Sequence, residues 1–80
     1  MFYVYFLRSI KHPKKIYVGY TNDINQRLVE HNEKKSMYTA KYAPWELYGY
    51  ITFREELKAI IFEKYLKSGA GKAFAQKHFL

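Results

Sequence analysis

Cysteine is absent from the 80 residues, which excludes disulfides and thiolate metal sites and suits, without requiring, a reducing compartment. No apolar run approaches the roughly 20 residues of a membrane span. The opening Phe2 to Leu7 run is too short for a secretory core and has no basic stretch before it. Arg8 and a lysine cluster follow it rather than a small-residue cleavage site, so the expectation is a mature, cytoplasmic chain with no membrane partner. Flexible linkers, internal repeats and low-complexity tracts are also missing. Acidic residues are few, seven against fourteen lysines and arginines, leaving a formal charge of +7 and a pI near 9.6. Such a field attracts polyanions, chiefly nucleic acid, although membrane surfaces and acidic proteins respond to it too. Lysines serving only as solvated decoration are the plain alternative.

What is present is apolar and aromatic. Hydrophobic residues make up 49% and aromatics 20% of the chain, enough for one modest core and one domain over residues 1–80. The stretch Ile16 to His31 organises the rest. It reads as a short strand ending at a turn glycine, Gly19, whose backbone can take angles closed to other residues, then a helix. Thr21, Asn22 or Asp23 can accept from the first free helix N–H groups. On that helix Ile24, Arg27, Leu28 and His31 follow the i, i+3, i+4, i+7 rule, so a cation and an imidazole share the inward stripe with apolar anchors.

Ahead of it, Phe2 to Leu7 reads as a strand covered on both faces, Tyr3, Tyr5 and Leu7 on one side and Phe2, Val4 and Phe6 on the other. It should form an antiparallel hairpin with Ile16 to Tyr20 across the polar loop Ser9 to Lys15. Glu33 to Pro44 lacks sustained periodicity and reads as a long ordered loop. Trp45 to Phe53 alternates as a third strand, Leu47, Gly49, Ile51 and Phe53 opposing Tyr48, Tyr50 and Thr52. Glu55 to Lys67 is helical, with Leu57, Ile60, Ile61 and Tyr65 as its core stripe and Glu63 on the polar side with Glu56 and Lys67. Ser68 to Gly71 breaks it, and Lys72 to Phe79 forms a last short helix with Phe74 and His78 on one face. The expected fold is α+β, a three-stranded antiparallel sheet flanked by helices in the order β-β-α-β-α-α.

Tyr3-Val4-Tyr5, then eleven residues on Tyr17-Val18-Gly19, then Arg27, His31 and a helical glutamate at Glu63, resembles the GIY-YIG nuclease superfamily, best its small stand-alone bacterial endonuclease-like members. The resemblance covers essentially the whole chain. Each motif is weak alone; their order, spacing and placement on elements make the combination specific. Two positions depart from the pattern: Tyr3 stands where the first motif has its glycine, and Tyr20 where some repair nucleases carry a lysine that contacts phosphate.

What the resemblance implies is a metal-assisted phosphodiesterase. Tyr17 would position or deprotonate the attacking water; a phenol is ordinarily a poor base at neutral pH, and a nearby cation such as Arg27 favours its ionised form. Tyr5 would hydrogen-bond phosphate or water, though a core aromatic with its hydroxyl at the edge fits equally. Arg27 offers a planar fork for two phosphate oxygens, against the alternative of a packed stem with a solvated head. His31 would donate to the leaving oxygen or serve as auxiliary base, or else merely border the core. Glu63 is the implied metal ligand, a lone carboxylate suited to Mg²⁺ or Mn²⁺; the helical projection does not separate it from Glu55 or Glu56. Lys34, Lys35, Tyr38, Lys41, Tyr42 and Lys72, with Lys77 near the end, would form the nucleic-acid surface, charges meeting phosphates and rings stacking on bases.

The leading reading is therefore a divalent-metal-dependent DNA endonuclease directed to branched, nicked or damaged DNA in repair or recombination, with a protein partner supplying substrate grip where its own is weak. The alternatives are a non-catalytic nucleic-acid-binding module on the same fold and a small interaction protein whose charge is incidental.

Overall fold

A computed structural model describes residues 1–80. The elements are β1 (Phe2–Ser9), β2 (Ile16–Thr21), α1 (Ile24–Asn32), α2 (Met37–Ala40), β3 (Trp45–Phe53), α3 (Glu56–Leu66) and α4 (Gly69–His78). The three strands form one antiparallel sheet in the order β2-β1-β3, so β1 is central and β2 has a free edge. This is the expected α+β architecture, with the single turn α2 added inside the segment read as a loop. No helix is long and apolar enough to cross a membrane.

Central placement explains the composition of β1. Val4, Tyr5, Phe6 and Leu7 are all buried because helices cover both faces. On one face Tyr5 and Leu7 cluster with Ala43 and Trp45, joined by Tyr17, Leu28 and Tyr42. On the other, Val4 and Phe6 meet Ala59, Leu66 and Ala75 of α3 and α4. Burying four apolar side chains on one strand contributes on the order of 6–12 kcal/mol before entropy is subtracted.

Asp23 is the residue that caps α1, its Oδ1 accepting from the Gln26 N–H at 3.0 Å. Three sequence expectations are corrected. Opposite β1, Phe6 pairs with Gly49 but Leu7 with Leu47, so a bulge at Tyr48 moves Leu47 onto the face of Tyr5 and Tyr50. On α3 the core stripe is Ala59, Phe62 and Leu66, while Leu57, Ile61 and Tyr65 are exposed. This helix is apolar nearly all round, and Ala59, fully buried, selects the face that comes closest to the sheet. Finally, α4 begins at Gly69, not Lys72, because Ser68 caps it by accepting from the Gly71 N–H. The Phe74 and His78 rings do share a face, 4.6 Å apart.

Candidate active site

Pairing of Tyr5 with Gly19 and of Leu7 with Tyr17 puts Tyr5 and Tyr17 on the same face, the one that α1 covers. Their ring centroids are 6.2 Å apart, and the His31 ring lies 6.1 Å from Tyr5 and 4.9 Å from Tyr17. Gly19 makes this packing possible. It sits inside β2 and not at a turn, and its backbone has no left-handed angle, contrary to the expected turn role. A Cβ there would overlap the Tyr5 hydroxyl and Cζ, so the missing side chain is the space the Tyr5 ring occupies.

Beneath the surface runs a chain of hydrogen bonds whose direction follows from its last acceptor. The Thr39 hydroxyl lies 3.5 Å from the Ser36 carbonyl, which can only accept, so the Thr39 oxygen receives the His31 Nδ1–H at 2.8 Å. That leaves His31 Nε2 as the acceptor of the Tyr5 hydroxyl at 3.1 Å. Burial pushes the His31 pKa down, helped by the Arg27 charge and opposed by Glu30, which keeps the ring neutral as this chain requires. Burial also raises the Tyr5 pKa, with Arg27 pulling the other way, so Tyr5 remains a protonated donor.

Arg27, one turn before His31, is 40% exposed. Burial works against its charge, but Tyr5 and Glu30 beside it outweigh that and raise its pKa; Nη1 donates to Glu30 Oε1 at 2.9 Å. With Glu30, His31, Lys35 and Ser36 it lines an open hollow.

Glu63 arrives from the opposite face. Phe62 of α3 packs on Phe53 of β3, 5.6 Å between centroids, and Glu63, a quarter-turn of helix away, points to the free edge of β2. There Lys67 bonds to Glu63 and lies 5.8 Å from the centre of the Tyr17 ring. Only 16% of the Glu63 side chain is exposed, against 66% for Glu55, a distinction the helical projection did not make. Tyr20 faces the other way, its hydroxyl donating to Glu56.

The residues expected to contact nucleic acid fall into three settings. Tyr38, exposed and 6.2 Å from the Tyr17 ring, shares a groove along the β2 edge with Lys72, Lys14 and Lys15. Lys35 lines the Arg27 hollow, and Lys34, exposed at the end of α1, carries a left-handed φ of 63°. Tyr42 is half-buried in the Trp45 cluster, with Lys41 and Lys15 5.7 and 5.2 Å from its ring centre.

Sequence reasoning missed three contributors. Thr39, wholly buried, lies on α2, which no periodicity announced. Asn32 brackets the Trp45 backbone through both amide atoms and ties α1 to β3. Lys67 was placed only on a polar face; its spacing of four from Glu63 was the available signal.

One face of a small antiparallel sheet thus carries two hairpin tyrosines, with an arginine from one helix beside Tyr5 and a sheltered glutamate from another whose lysine partner reaches Tyr17. The family model described as the GIY-YIG catalytic domain matches residues 1–77, and the chain belongs to the GIY-YIG family. Membership supports a nuclease-type function: the family consists in general of endonuclease hydrolases, which typically use divalent metals, and a nuclease domain implies a DNA substrate. Among curated proteins none matches the chain.

The donor set near Tyr17 can be tested against a divalent metal. No three His, Asp or Glu side chains converge anywhere in the protein, so Glu63 offers a single carboxylate. A lone hard oxygen donor, here paired with Lys67, fits Mg²⁺ or Mn²⁺, which retain waters and accept phosphate oxygens.

Proposed function

We propose that the protein is a divalent-metal-dependent DNA endonuclease that hydrolyses one phosphodiester, acting on branched, nicked or damaged DNA. The observation carrying this reading is the convergence at Tyr17: the His31 ring 4.9 Å away, Tyr5 beside it, and the Glu63–Lys67 pair at its outer side. Tyr17, half-buried on the edge strand, positions the water that attacks phosphorus. Arg27 leaves Glu30 to hold non-bridging phosphate oxygens and stabilises the charge that grows on them. Glu63 holds the metal, whose chemistry when bound is to polarise phosphate and stabilise the leaving oxygen. Tyr5 and His31, each 1% exposed and hydrogen-bonded to one another, hold Tyr17 in place from beneath rather than meeting the substrate. The cytoplasm, where DNA and Mg²⁺ are both abundant, is the proposed setting.

The test is cleavage of labelled branched, nicked and plain duplex DNA with Mg²⁺, Mn²⁺ or chelator, for the native chain, Glu63→Ala and Arg27→Ala. Cleavage dependent on metal should fall at least about 100-fold in either variant, the usual loss on removing a charge-stabilising group. Binding without cleavage in every condition supports the second reading, a non-catalytic DNA-binding module. That reading draws on the neutralised state of both charges, Arg27 by Glu30 and Glu63 by Lys67.

A further inference from the structure

The Glu63 carboxylate does not stand free. Lys67, the C-cap residue of α3, bonds to its Oε2, and the same ammonium lies 5.8 Å from the centre of the Tyr17 ring. Glutamate and lysine four apart on a helix usually make a solvated pair of small consequence. Here the partners are unequal: Glu63 is 16% exposed and Lys67 51%, so the carboxylate is sheltered while the cation it bonds reaches solvent.

We propose that Lys67 is the resident counter-ion of Glu63 and that DNA phosphate, by drawing its ammonium away, opens the carboxylate to a divalent cation, making metal loading depend on substrate. The proposal rests on the reading of Glu63 as metal ligand. A single carboxylate binds Mg²⁺ weakly, and an ammonium tethered on the same helix competes for it at high local concentration. A phosphodiester placed against Tyr17 for attack offers that ammonium, 5.8 Å from the ring centre, a second anion. Lys67 has a flexible four-carbon stem and is half exposed, so it can change partner without moving the backbone. Lys67 is thus a positioning residue, and its effect is read in metal affinity rather than in turnover alone.

The experiment measures Mn²⁺ binding by titration calorimetry and by the electron paramagnetic resonance signal of the free ion. All proteins carry Tyr17→Phe to keep the DNA uncut, verified on a gel, and are compared with and without a short nicked duplex. Without DNA, Lys67→Met should bind Mn²⁺ about twofold to fivefold more tightly than the chain with Lys67, the loss of one competing ion pair. Adding DNA should raise Mn²⁺ affinity by a larger factor when Lys67 is present than in Lys67→Met. Circular dichroism checks that each variant is folded. Equal Mn²⁺ affinity of the two without DNA, or equal enhancement by DNA, overturns the proposal while Glu63→Gln still weakens binding. Should Glu63→Gln leave Mn²⁺ binding intact, the metal-ligand reading falls and the proposal with it.

Discussion

Gly19 lies directly across the ladder from Tyr5, and the Tyr5 ring fills the volume a side chain at 19 would need. Tyr5 is 1% exposed and held by His31, so it has nowhere to retreat. Gly19→Ala should destabilise the protein by about 1–3 kcal/mol, the range for overpacking, and chemical denaturation should show much of this loss relieved when Tyr5→Leu is added. His31 gives a second prediction, in pH. Its folded-state pKa is lowered by burial and Arg27, whereas the unfolded chain takes up a proton near the ordinary value of about 6.5. Below that pH the unfolded state holds more protons than the folded one, so stability is complete above it and falls as pH drops toward the folded-state pKa. Melting temperatures from pH 7.5 to 5 should therefore decline more steeply for the native chain than for His31→Gln, which lacks the titration. Parallel slopes would mean that His31 is not held neutral.

At the level of elements, the join between α3 and α4 is at least as tight as that between Gly19 and Tyr5. A Cβ at Gly71 would overlap the Tyr65 carbonyl and the backbone of Leu66, and backbone cannot yield as a side-chain tip can. Gly71→Ala should cost about 2–3 kcal/mol by denaturant melts, more than Ser68→Ala, which removes the cap to Gly71 and the exposed bond to the Tyr65 carbonyl and costs about 1 kcal/mol. Equal losses would mean that α4 adjusts freely over α3. The errors in reading these elements from sequence have physical causes. Alternation in β3 was sound until the bulge at Tyr48, which changes the phase without changing residue types. Periodicity in α3 admitted two stripes, and the smaller residue, Ala59, decided which one met the sheet. By contrast the α1 stripe of Ile24, Arg27, Leu28 and His31 was legible because one face is apolar and the other is not. Period two grouped Tyr3, Tyr5 and Leu7, but whether Tyr17 shares their face depended on the hairpin register, which sets Leu7 opposite Tyr17. Thr39 was not legible, since it depends on a single helical turn between two loops; the spacing of Lys67 from Glu63 was legible, but its approach to Tyr17 was not, since that depends on how far α3 reaches around the edge of β2.

Across the whole molecule, charge has a direction as well as a total. The formal +7 was visible in composition, but only the fold gathers Lys14, Lys15 and Lys72 with Tyr38 into one groove along the free edge of β2, next to Tyr17. Arg54, just before α3, and Lys58, in its first turn, are exposed and line no part of that groove. If DNA enters along the β2 edge, the first three lysines displace counterions from it and the last two charges do not. The logarithm of the binding constant against the logarithm of salt concentration should then lose about 0.9 of slope per lysine removed, so Lys14→Ala, Lys15→Ala and Lys72→Ala together flatten it by about 2 to 3. Arg54→Ala with Lys58→Ala should leave that slope unchanged, although it also lowers the net charge. Fluorescence anisotropy with a labelled duplex between about 50 and 200 mM salt resolves such a change. Equal flattening by both sets of substitutions would mean that affinity follows total charge alone and that the groove beside Tyr17 is not the path the DNA takes.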